Sequence, residues 1–83
     1  MIRNVQAPRK YGISFEVADN AGTSSCYVTL SALQDRAARD KMPTTDLLAI
    51  FNSYRSEIES AIWTKRQMGN GKDPIIINHL PNN

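Results

Sequence analysis

The stretch that decides the fold is Tyr11–Leu30, "YGISFEVADNAGTSSCYVTL". Its first run alternates: Tyr11, Ile13, Phe15 and Val17 share one face, and Ser14 and Glu16 the other. Its last run alternates too, with Cys26, Val28 and Leu30 on one side and Ser25, Tyr27 and Thr29 on the other. Period-two alternation is the mark of a half-buried strand. "DNAG" between the runs supplies turn chemistry through Asp19, Asn20 and Gly22. The two runs therefore predict a β-hairpin with Ile13, Phe15, Val17, Cys26, Val28 and Leu30 on its inner face.

Downstream the period changes to that of a helix. In "SALQ", Ser31 suits an N-cap and Gln34 completes a capping box, so a first helix is expected to about Asp40, closed by Pro43. "TTD" opens a second, long helix with a threonine cap and Asp46 in its first turn, ending near Met68 with Gly69 beyond it. "GNGKDP" is a turn-rich connection. "PIIIN" is a short strand with Pro74 at its first position, where proline is tolerated. Upstream, Ile2 and Val5 offer at most a short edge pairing.

The expected class is α+β. A small antiparallel sheet, made of the hairpin plus a C-terminal strand, carries two helices on one face in the order β-β-α-α-β. Eighty-three residues allow one domain. Its core is expected over about 11–79, with 1–10 a lead-in and 80–83 a tail, both less ordered.

Turning about 100° per residue from Leu47, residues Phe51, Tyr54, Ile58, Ala61, Ile62 and Lys65 fall on one side of the long helix. The only tryptophan, Trp63, falls about 140° away from that stripe. Ile76 likewise opposes Ile75 and Ile77 on its strand, and Tyr27 opposes Cys26 and Val28. These side chains predict a second buried surface, a homodimer interface, against two blander readings: a contact made when Leu80 and Pro81 fold over Trp63, or an ordinary scattered surface aromatic. The candidate interface is Trp63, Ile76 and Tyr27, with Arg55 and Glu59 forming an i,i+4 ion pair at its rim.

Chemical motifs are sparse. One cysteine and one histidine, Cys26 and His79, do not build a metal site or an activated thiol, so no catalytic residue, metal or cofactor is expected. "GNGKD" lacks the strand-to-helix context of a phosphate loop. The net charge is only +2, and acids interleave with the bases. A nucleic-acid surface built from Arg36, Arg39, Lys65, Arg66 and Lys72 is the second reading, against the expectation of clustered charge. A single cysteine fits a reducing compartment, no apolar run reaches the roughly 20 residues of a membrane span, and "MIRNVQAPRK" has no signal-peptide core. The expectation is a cytoplasmic, non-enzymatic interaction or regulatory module that self-associates.

"CYVTLSAL", then "FNSYRSEIESAIWTK" and a short apolar strand, resembles a family of small bacterial proteins known as domain of unknown function fourteen-eighty-eight. Cys26, Val28, Leu33, Phe51, Arg55, Ile58, Glu59 and Lys65 carry the resemblance, which covers roughly Gly12 to His79. It implies a compact α+β domain in a bacterial cytoplasm, and brings no activity, cofactor or catalytic residue.

Overall fold

The structure is a computed structural model that describes residues 1–20, 22–68 and 74–80. Its elements are β1 (Ile2–Arg3), β2 (Gly12–Asp19), β3 (Gly22–Thr29), α1 (Leu30–Arg39), α2 (Leu47–Ser53), α3 (Arg55–Gln67) and β4 (Ile75–Ile77). The sheet has four strands in the order β1-β2-β3-β4, and the class is α+β as the sequence predicts.

The hairpin has the expected register: Ile13 faces Val28, Phe15 faces Cys26 and Val17 faces Ser24. Five of the six predicted inner residues are buried. The sixth, Leu30, is only half-buried, because the chain enters α1 there without an intervening loop. Ser24 takes the extra inward position. Tyr11 lies just before β2 and is exposed, so it is not a core residue; its carbonyl accepts a 2.7 Å hydrogen bond from the Leu30 amide. Gly12 is required where the strand begins. Its φ is 154°, and a Cβ there would lie 2.1 Å from the Val28 carbonyl oxygen.

The helix caps differ from the expected ones by small shifts. Thr29, not Ser31, caps α1: its Oγ1 accepts from the Ala32 amide at 3.1 Å, and Gln34 instead donates to the Thr44 carbonyl. Thr29 closes the strand and opens the helix at once, because an N-cap already has extended dihedrals. Asp46 is the cap of α2, its Oδ1 accepting from the Ala49 amide at 3.1 Å. At its other end α1 closes with paired hydrogen bonds from Lys41 to Ala38 and from Met42 to Ala37. Lys41 takes the left-handed conformation (φ 58°) that glycine usually fills at this position.

Two larger differences concern direction and continuity. The single long helix is interrupted at Tyr54 (φ −115°, ψ 23°), giving α2 and α3. Also, β4 runs parallel to β3, with Cys26 opposite Ile75 and Val28 opposite Ile77, so the sheet is mixed rather than wholly antiparallel. The cause lies in where α3 ends. Arg66, in its last turn, ion-pairs with Asp19 and hydrogen-bonds Ser24, at the end of the hairpin where β3 begins. The chain re-enters the sheet from that end and must run with β3, as crossovers through helices allow. The lead-in adds β1, with Ile2 opposite Val17, and Ile2 is buried.

All three helices contribute to one core on one sheet face. Phe51 meets Phe15 edge-to-face at 5.2 Å, and Leu33, Ala37, Ile50, Ile58 and Ile62 fill the space around them. Leu80 is fully buried in the same core, although it follows the last strand.

Candidate interaction surface

Alternation on the strands sends Ser14, Glu16, Ser25, Tyr27 and Ile76 to the face away from the helices. Tyr27 and Ile76 are register partners on β3 and β4. Ile76 is 42% exposed and Tyr27 is half-buried, so the two form an apolar step beside a run of small hydroxyl side chains. A shallow depression of about 380 Å³ lies here, bounded by Asn4 and Gln6 on one side and Ile76 on the other. One solvated face is normal for a sheet in a two-layer domain. An exposed isoleucine on that face, at the edge strand, is the departure from that pattern.

The two sheet edges differ. β1 is two residues long and ends at Asn4, which turns left-handed at φ 52° and donates to Glu16 Oε1 at 2.6 Å; the charged side chain of Arg3 also lies on that strand. These are the features that blunt an edge against pairing. β4 is Ile75-Ile76-Ile77, with no charge, proline or bulge inside it. Among the described residues only β3 pairs with it.

Beside β4 lies a second groove, about 350 Å³, between the strand and the flank of α3. Ile77 and Ala61 are apolar walls, Met68 and Lys65 stand along the helix, and Glu57 and His79 complete it.

The remaining predicted residues are dispersed. Trp63 is 60% exposed on α3, in the helix layer, whereas Tyr27 and Ile76 face away from that layer, so the three do not form one patch. Leu80 is buried in the core and does not screen Trp63; Pro81 lies outside the described residues. Glu59 pairs with the N-terminal ammonium at 3.0 Å, and Arg55 lies 5.8 Å from the Phe51 ring centre, so the expected rim pair gives way to two other contacts.

Among the basic candidates, Arg36 is buried and Arg66 binds Asp19. Arg39 donates to the Leu80 carbonyl and lies 3.4 Å from Asp35. Lys65 is half-buried in the second groove, and Lys72 lies outside the described residues.

Arg36 is the centre of a polar cluster that the sequence reading missed. Its Nε and Nη2 donate to the two oxygens of Glu57 at 2.9 and 3.1 Å. Its Nη1 is buried 3.0 Å from Asp40 Oδ1, off the line of a hydrogen bond. The guanidinium lies 4.4 Å from the Tyr54 ring centre, and the Tyr54 hydroxyl donates to Asp40 Oδ2 at 2.7 Å. The hydroxyl and Arg36 hold the Asp40 carboxyl below its ordinary value, and the same hydrogen bond to Asp40 pushes the tyrosine hydroxyl up. Glu57 first, then Asp40, raise Arg36 above the ordinary arginine range. Both carboxylates of the cluster contact the one guanidinium. The cluster ties α1 to the α2–α3 junction at Tyr54. The Arg36–Asp40 spacing of four was a signal; the reach to Glu57 was not.

Among the described residues no group of three or more His, Cys, Asp or Glu could hold a metal ion, and no helix is long and apolar enough to cross a membrane.

With the hairpin, the first helix and the Phe51–Ile58 packing in place, comparison with known families places the chain. Residues 3–76 match the family described as "Protein of unknown function (DUF1488)". The chain belongs to the DUF1488 family. The match takes in β2, β3 and all three helices and ends inside β4, and Cys26, Val28, Phe51 and Ile58 within it are buried core residues of this chain. No curated protein and no solved structure matches the chain.

Proposed function

We propose that this DUF1488 protein is a non-enzymatic interaction or regulatory module that self-associates, using the side of the domain where Ile76 and Tyr27 lie. The observation that carries the reading is Ile76. It is 42% exposed, on an edge strand that among the described residues pairs only with β3, next to the half-buried Tyr27. Exposed apolar groups gathered at one place mark partner surfaces, and an uncovered strand edge is a template for another strand. Trp63 is a separate exposed aromatic in the helix layer and enters this reading only as a control. A small cytoplasmic protein that assembles with itself and presents a combined surface to further partners fits these features.

The test is the solution mass by size-exclusion chromatography with light scattering, for wild type, Ile76→Asp and Trp63→Ala. The reading expects twice the 9.3 kDa chain mass for wild type and Trp63→Ala, and a fall toward one chain for Ile76→Asp. A monomer throughout removes self-association. A fall in Trp63→Ala with Ile76→Asp unchanged moves the interface to the helix layer.

A further inference from the structure

We propose that two copies of this chain join edge to edge: β4 pairs antiparallel with the partner's β4, and the α3 flanks of the two copies pack side by side. The proposal rests on the self-association argued above and specifies its geometry. Four observations converge on it.

The first is the asymmetry of the edges. β1 is short, charged and ended by a left-handed residue, whereas β4 carries none of these protections. Pairing therefore has one edge to use.

The second is that the edge and the groove coincide. The groove has Ile77 on the strand side and α3 on the other. A strand laid along β4 at the usual spacing of about 4.8 Å occupies this groove. It covers the half-buried Ala61 and also extends the apolar step of Tyr27 and Ile76 across the junction.

The third is the sequence of the helix flank. Glu57, Ala61 and Lys65 recur at a spacing of four, as do Ser60, Thr64 and Met68, and the two rows lie three residues apart, so together they form a single stripe. The residues in its middle are small, which lets a second helix approach closely.

The fourth is charge, and it selects the occupant. Glu57 sits four residues before Ala61 and Lys65 four residues after it. Two antiparallel copies of the stripe that cross at Ala61 therefore set each Glu57 opposite the other copy's Lys65. The stripe is self-complementary about a two-fold axis, which is the symmetry of an isologous dimer. Glu57 already holds Arg36 through both oxygens, and each oxygen retains a free acceptor position for the incoming ammonium. β4 has its own midpoint at Ile76. One axis through the edge serves both elements and yields a continuous eight-stranded sheet.

The experiment is site-specific disulfide formation across the axis. Ala61→Cys and, as a control on the outer side of the same helix, Trp63→Cys are each oxidised in air and run on a non-reducing gel, with the native mass of the wild type measured alongside. Cys26 is buried, so it supplies no competing thiol. The expected result is a cross-linked pair for Ala61→Cys and none for Trp63→Cys. In a separate arm, Lys65→Glu sets like charges against each other at both ends of the seam and is expected to weaken self-association at least about tenfold. Wild type of twice the chain mass with no cross-link through residue 61, or with Trp63→Cys cross-linking instead, overturns this geometry and leaves self-association standing. A monomeric wild type overturns both. If Lys65→Glu associates as tightly as wild type, the charge pairing is wrong.

Discussion

Replacing Leu80 by alanine tests whether the segment after β4 is part of the fold. Leu80 is fully buried in the common core, and its carbonyl accepts a hydrogen bond from Arg39 on α1. Shortening a buried leucine to alanine loses the transfer free energy of the removed carbons and leaves a cavity, at a cost of about 3–5 kcal/mol where the surroundings cannot collapse. Leu80 lies outside the helices and strands, so partial relaxation places the expected cost at the lower end, about 3 kcal/mol. A domain of this size has a total stability of about 4–12 kcal/mol, so the variant loses a large share of it. The expected drop in melting temperature is about 12–24 °C. Urea unfolding followed by circular dichroism, with an unchanged m-value, measures it. Protein concentration must be matched, because self-association adds stability by mass action. Leu48→Ala is the comparison: Leu48 is 40% exposed on α2, and its loss is expected to cost at most about 1 kcal/mol. If Leu80→Ala costs no more than Leu48→Ala, the segment is not packed as described, and the anchoring of β4 falls with it.

Gly12→Ala is expected to destabilise by at least about 2 kcal/mol, because the new methyl meets the Val28 carbonyl oxygen at 2.1 Å in a backbone conformation that alanine resists; a melting temperature equal to wild type contradicts this. Lys41→Gly is expected to stabilise by up to about 1 kcal/mol, since the left-handed C-terminal position of α1 strains a lysine and suits glycine; thermal unfolding decides the sign. The Asp40–Tyr54 pair predicts a pH dependence. Asp40 is depressed in the fold, so its contribution is present above the ordinary aspartate value of 3.8 and is lost as pH falls through the lower folded value. Tyr54 is raised, so its contribution is present below the ordinary tyrosine value of 10.0 and is lost as pH rises through the higher folded value. Tyr54→Phe is therefore expected to be less stable than wild type near neutrality, with the gap narrowing toward both acid and alkali. A gap in urea midpoint that stays constant across the pH range would remove the hydrogen bond from the account.

The hairpin was legible because alternation is local: each strand carries its own register, and burial follows the pattern residue by residue. The class and the helix content were legible for the same reason. The interruption at Tyr54 was not, because the apolar stripe continues through it from Phe51 to Ile58. The break coincides with a contact from α1, where Arg36 and Asp40 hold the tyrosine, and such a contact leaves no mark in the local periodicity. The direction of β4 was hidden in the same way: three isoleucines read equally well in either direction, and the position of Arg66 at the start of β3 settles it. Leu80 looked like tail because a lone leucine before a proline has no periodicity. Of the candidate surface, Ile76 and Tyr27 were readable from alternation, and they do lie together. Trp63 was readable as an outward residue, but its separation from them depends on which layer each element joins. The basic residues looked available in sequence, whereas three of the five contact acidic side chains in the fold.

The measurement that bears most directly on the account is amide hydrogen exchange at Ile75, Ile76, Ile77 and Asn78 as a function of protein concentration. Edge pairing of β4 predicts that the outward amides of this strand become protected as concentration rises through the dimer dissociation constant, while amides of β1, at the opposite edge of the sheet, stay unchanged. Exchange at β4 that is fast and independent of concentration, in a sample whose mass has doubled, would contradict the edge as the contact.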